Sequence, residues 1–145
     1  MEKVIRIMSK KVKTVSKNKD IISAAKIMFK DNVSAVVVVE KNRPIGLLTE
    51  RDLAVRVLDK NKDLKRLKVS DIMTTPILTV APDADIYYSS EMMRKNRIKK
   101  LPVVRNGILI GIVTQTDILE YFRNLRKKFV LKNLNQKERK SYPIV

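Results

Sequence analysis

The chain repeats itself, and that repeat narrows its fold more than any other feature. Shifted by 65 residues without a gap, positions 7–54 match positions 72–119 at fourteen of 48 places. The identical pairs include Ile7/Ile72, Met8/Met73, Asp20/Asp85, Gly46/Gly111, Thr49/Thr114 and Asp52/Asp117. Other pairs keep their apolar character, such as Val33/Ile98, Leu48/Val113 and Leu53/Ile118. Self-similarity at a fixed offset is the signature of a duplicated supersecondary unit.

Each copy has the same grammar. A short extended piece (KTVS; LTVA) leads to a helix of about a dozen residues, for which Asn18 and Asp83 are the expected N-caps. Apolar or small residues follow at helical spacing: Ile21, Ala24, Ala25 and Met28 in the first copy, Ile86, Ser89, Met92 and Met93 in the second. Then come β-branched runs, AVVVV and LPVV, which suit a strand covered on both faces. A turn (KNRP; RNG), a second strand (IGLLT; IGIVT) and a second amphipathic helix complete the unit.

The order is β-α-β-β-α, twice, an α+β fold. A unit of this size cannot cover both faces of its own sheet, so the copies are expected to pack about a pseudo-twofold axis. The expected divisions are repeat 1 over 1–60, a connector over 61–70 within the polar stretch DKNKDLKRLKVS, repeat 2 over 71–122, and a basic helix and tail over 123–145. Pro102 implies an edge or a strand start, because it cannot donate to a ladder.

Composition removes much chemistry. With no Cys and no His, there are no disulfides, thiolate nucleophiles, Ser-His relays or the usual zinc and haem sites. No enzyme is expected, since no nucleophile-base pair is visible. No apolar run is long enough for a membrane span and the N-terminus does not read as a signal peptide, so the expected location is cytoplasmic. Lys and Arg outnumber Asp and Glu 32 to 15, a net +17, which favours anionic partners. The last 23 residues carry eight Lys or Arg against one Glu, and Leu125, Phe129 and Leu134 suggest that the last helix continues into them. Nucleic acid or an acidic protein is therefore the alternative partner.

The doubled junctions GLLTERD and GIVTQTD each place a Thr at a strand end and an Asp three residues on. T-x-x-D serves as a capping box, worth about 1 kcal/mol per helix. It does not account for Gly46 and Gly111, which leave room for something to approach the strand. A helix start with unpaired N–H groups suits a phosphate, and a nearby Asp suits ribose hydroxyls.

In combination these motifs resemble a tandem pair of CBS domains (cystathionine β-synthase domains; a Bateman module) over residues 4–122. The resemblance implies a regulatory module that senses AMP, ADP, ATP or S-adenosylmethionine, without an obligatory cofactor, and acts on a separate, unidentified protein. It implies one cleft formed by Thr49, Arg51 and Asp52 with Met73, Leu78, Ile98 and Lys99, to which Lys100 adds charge. A second cleft would use Thr114, Thr116 and Asp117 with Met8, Lys13, Val33 and Ser34. With Arg51, Lys99 and Lys100, the first is expected to prefer the more highly charged nucleotide. A flat homodimer is implied, with Leu53, Val57, Ile118, Tyr121 and Phe122 as candidate interface residues.

Overall fold

The computed structural model describes residues 1–60 and 63–141. The first repeat holds β1 (Thr14–Ser16), α1 (Ile21–Lys30), β2 (Ala35–Glu40), β3 (Arg43–Thr49) and α2 (Glu50–Lys60). After a short α3 (Val69–Ile72), the second holds α4 (Ile86–Asn96), β4 (Lys100–Arg105), β5 (Ile108–Thr114) and α5 (Gln115–Asn133), and α6 (Gln136–Ser141) ends the described chain. Residues 61–62 of the expected connector, and Pro143 with the rest of the chain end, lie outside the described residues.

In the first sheet β1 pairs parallel with β2, which pairs antiparallel with β3; in the second, β4 pairs antiparallel with β5. Local detail repeats at the same offset. Both hairpins turn through two residues of positive φ, Lys41-Asn42 and Asn106-Gly107, as a type I′ turn requires. Both slip register one residue after the core valine, at Val38/Val39 and at Val103/Val104.

One difference traces to a single residue. The Val37 amide donates to the Lys13 carbonyl, which extends β1 along β2. Pro102 takes the place of Val37 in the second repeat and has no N–H to donate, leaving a single parallel bridge, Val80 to Val103. Pro102 is thus the third residue of β4 rather than its start, tolerated because its missing donor faces a neighbour that barely pairs.

The N-caps are Asp20 and Asp85, not Asn18 and Asp83. Asp20 accepts from the Ser23 amide at 2.8 Å and from its hydroxyl at 2.7 Å, and Asp85 from the Tyr87 amide at 2.8 Å. Two more residues of chain are spent in the turn before the carboxylate can reach the first helical amides.

The connector does not stay in solvent. Leu67, Val69 and Ile72 are buried in the first repeat's core, with Val15, Ile21, Met28, Val36 and Leu48. Reciprocally, Val4 is buried in the second repeat's core, with Val80, Ile86, Met93, Leu101 and Val113. Matching bonds hold the crossing arms: Val69 N to Lys19 O (2.8 Å) mirrors Val4 N to Ala84 O (2.9 Å). Likewise Ile21 N to Leu67 O mirrors Ile86 N to Glu2 O, both at 3.1 Å. Each repeat is closed by the arm that leads into the other, which is the pseudo-twofold arrangement expected.

Candidate functional site

Both junctions form the capping box. Thr49 Oγ1 accepts from the Asp52 amide at 3.1 Å while Asp52 Oδ2 accepts from the Thr49 amide at 2.9 Å. The twin distances at Thr114 and Asp117 are 3.2 and 2.8 Å. In each box the Thr hydroxyl also donates to the same carboxylate oxygen, at 2.9 and 2.7 Å.

The amides that a phosphate would need are mostly taken. Glu50 N donates to Ser34 O at 3.0 Å and Gln115 N to Lys99 O at 2.9 Å. With the Asp amides closed by Thr, only the Arg51 and Thr116 amides of each first turn have no partner among the described residues.

The two glycines make room for the protein's own arms. A Cβ on Gly46 would lie 2.6 Å from Met73 Sδ and 3.2 Å from the Thr74 carbonyl; on Gly111, 2.7 Å from Met8 Sδ and 2.9 Å from the Ser9 carbonyl. What approaches each strand is the arm residue pair Met73-Thr74 or Met8-Ser9, which also bonds to Leu47 or Ile112. The space read from the sequence is real, but a chain segment fills it.

Beyond the box the junctions part. Asp52 is buried, and its Oδ1 accepts from the Thr74 hydroxyl at 2.9 Å and faces Arg56 Nε at 3.4 Å. Three hydrogen bonds and an ion pair thus engage its two oxygens. Asp117 is half-buried, and among the described residues its Oδ1 meets no donor. Ser9 replaces Thr74 and accepts from Lys11 N instead, while Tyr121 replaces Arg56. Asp117 borders an open cavity of about 340 Å³, lined by Ile7, Glu120, Tyr121 and the next turns of α5. That cavity is not the cleft expected, since Met8, Lys13, Val33 and Ser34 do not line it.

Of the first expected set, Thr49, Asp52 and Met73 come together: Met73 abuts Gly46, and its carbonyl accepts from Arg56 at 2.9 Å. Leu78 and Ile98 pack against the second core. Arg51 and Lys99 are exposed and Lys100 half-buried, and none of the three forms an ion pair among the described residues. Of the second set, Thr114, Asp117 and Met8 come together, with Thr116 exposed beside them. Lys13 instead pairs with Asp31 at 3.5 Å, Val33 packs against the first core, and Ser34 is exposed.

Among the suggested interface residues, Ile118 is buried in the second core, Leu53, Val57 and Tyr121 are half-buried against the cores, and Phe122 is exposed. The exposed apolar side chains of α5 are Leu119, Phe122, Leu125 and Phe129. The Thr74 and Arg56 clasp on Asp52 was not foreseen, although Asp52 and Arg56 stand at the i,i+4 spacing of a helical ion pair.

Among the described residues no helix is long and apolar enough to cross a membrane, and no group of three or more acidic side chains could hold a metal ion. The family model described as CBS domain matches residues 4–59 and 69–124. The CBS domain-containing protein YhcV of Bacillus subtilis is 36% identical over 118 residues, covering 81% of this chain and 84% of that protein. An uncharacterised Methanocaldococcus jannaschii protein is 43% identical over 116 residues, 80% of this chain and 60% of its own. Of a Methanopyrus kandleri relative, 43% identical over 88 residues and 60% of this chain, the match spans 45%. The chain thus covers less than two thirds of some of these relatives.

A CBS domain pair solved in complex with 5′-methylthioadenosine and S-adenosyl-L-methionine superposes with a TM-score of 0.76 at 31% identity, covering 85% of this chain and 97% of that one. A CBS domain protein of unknown function from Thermoplasma acidophilum does so at 0.77 and 32%, covering 83% and 68%. With both repeats matched over most of its length, the chain belongs to the CBS-domain family as a tandem pair.

Proposed function

We propose that this chain is a non-enzymatic regulatory module that binds an adenosyl compound, of the AMP, ADP, ATP or S-adenosylmethionine class, and acts on a separate protein. The ligand-bound CBS pair described above supports this class. The observation that carries the site is the Oδ1 of Asp117, which meets no donor among the described residues, set beside the exposed Thr116. Asp117 offers two lone pairs to ribose hydroxyls without breaking an internal bond, and Met8 and the second-repeat surface supply apolar contact for a base.

The other set, Thr49, Arg51 and Asp52 with Met73, Leu78, Ile98, Lys99 and Lys100, is the weaker site in this proposal. A ribose there must displace Thr74 or Arg56 from Asp52. This reverses the expected advantage of the more cationic cleft, because a pre-engaged acceptor costs a hydrogen bond of about 1 kcal/mol or more before any contact is gained.

Calorimetry with 5′-methylthioadenosine, S-adenosylmethionine, AMP and ATP tests the assignment. One site per chain is expected, lost in Asp117→Ala and kept in Asp52→Ala. Binding that survives Asp117→Ala places the ligand elsewhere.

One observation favours a second reading. From Arg126 to Lys140 every basic residue except Lys127 is exposed, a cationic rod along α5 and α6. Fluorescence anisotropy with a labelled oligonucleotide separates the readings, since nucleic-acid affinity falls steeply as salt rises. The exposed apolar residues of α5 make a homodimer the proposed assembly.

A further inference from the structure

At the first junction the chain builds a receptor for a guanidinium and fills it itself. Arg56 Nε lies 3.4 Å from Asp52 Oδ1, and Nη1 donates to Met73 O at 2.9 Å and Ile72 O at 3.3 Å. One carboxylate oxygen and two consecutive carbonyls at the end of an arm match the fixed fork of arginine donors.

The 65-residue shift carries these acceptors onto Asp117, Ile7 and Met8 in the same local arrangement. Gly111 abuts Met8 as Gly46 abuts Met73, and Ser9 exchanges amide bonds with Ile112 as Thr74 does with Leu47. The arginine is missing, because Tyr121 stands in its place. Among the described residues no protein donor reaches Asp117 Oδ1 or the carbonyls of Ile7 and Met8. Where the side chain would lie, the surface opens into the 340 Å³ cavity walled by Ile7, Tyr121 and Leu125, with Glu120 at its edge. Lys128 also lines the cavity but is rooted eleven residues along α5, about 16 Å from Asp117 at the helical rise.

We propose that this cavity is a guanidinium site that receives an arginine side chain from a partner protein. The carboxylate and carbonyls accept from the guanidinium fork, and the Tyr121 ring gives a face on which it stacks. The surrounding charge narrows the occupant further. A chain of net +17, with Lys128 on the cavity wall, repels a basic peptide, so the arginine it accepts is one set among acidic residues. The inference shares Asp117 with the adenosyl proposal but uses no nucleotide, so either can fail alone.

The test titrates the ¹⁵N-labelled full chain with the capped peptide Glu-Arg-Glu and with Glu-Lys-Glu. Saturable shifts of the Thr114, Asp117 and Tyr121 amides are expected with the arginine peptide, at least fivefold weaker with the lysine peptide, and lost in Asp117→Asn. Tyr121→Arg, which installs the equivalent of Arg56, is expected to raise the Tm and to abolish the peptide response. Equal binding of the two peptides, or a response unchanged by Asp117→Asn, overturns the proposal; should Tyr121→Arg not fold, those two comparisons still decide.

Discussion

The Thr74 hydroxyl donates to Asp52 Oδ1 at 2.9 Å, tying the arm that leads into the second repeat to the helix that ends the first. Its counterpart Ser9 makes no such bond to Asp117. Thr74→Val is therefore expected to lower unfolding stability by about 1–2 kcal/mol, whereas Ser9→Ala changes it by less than about 0.5 kcal/mol. Urea denaturation of both variants checks this, and equal losses would refute the asymmetry.

Val4 and Val69 are each fully buried in the core of the opposite repeat. Truncating either to Ala is expected to cost about 1.5–3 kcal/mol. The place of the damage distinguishes them. Hydrogen exchange should quicken in β4 and β5 for Val4→Ala, and in β2 and β3 for Val69→Ala, the repeat remote in sequence in the first case and the preceding one in the second.

Gly111 has less latitude than Gly46. The nearest atoms to an added Cβ at Gly111 include the Ser9 carbonyl at 2.9 Å, which is backbone, while at Gly46 the tightest contact is a Met73 sulfur at 2.6 Å, which can rotate away. Gly111→Ala is expected to destabilise by about 1–3 kcal/mol and Gly46→Ala by less, as read from thermal unfolding.

Arg97 closes α4 at φ 53°, in the left-handed region, while its counterpart after α1 is Asn32 at φ 50°. A side chain with a Cβ is strained there by about 1 kcal/mol, and Asn tolerates it better. Arg97→Gly should therefore raise the midpoint of thermal unfolding; a lower one would mean that the Arg97 side chain makes a contact worth more than the strain.

The Ser23 hydroxyl, with the Ser23 amide, holds the Asp20 carboxyl below its ordinary value of 3.8. A depressed folded-state value means that the ionised cap stabilises the fold above the unfolded pKa, and that this stability is lost as pH falls through the folded one. NMR titration should show Asp20 moving up toward 3.8 in Ser23→Ala. No movement would assign the shift to the amide alone.

Much of this architecture was legible because duplication doubles every local signal. The pairs at offset 65 expose the β-α-β-β-α order, the hairpin turns and the T-x-x-D boxes, all decided within a few residues of chain by propensity, turn geometry and capping. The expected caps, Asn18 and Asp83, lie two residues too early: both are good capping types, but the chain turns once more before the helix, and Asp20 and Asp85 next to its start reach the amides. The candidate site was legible only in part. Thr49, Asp52, Thr114 and Asp117 were legible as the paired residues of two capping boxes, but the unequal bonding of the two carboxylates was not.

By itself, the sequence determined that two like units exist and where each strand hands over to its helix, since these follow from contacts between near neighbours. Only the tertiary structure decided that the arms cross, that they occupy the space beside Gly46 and Gly111, and that Thr74 and Arg56 close one carboxylate while the other is left open. Those outcomes depend on an arm carried beside a helix distant in the chain, where one residue exchanged at a matched position, Tyr121 for Arg56 or Ser9 for Thr74, changes which contacts to that arm and to the carboxylate can form.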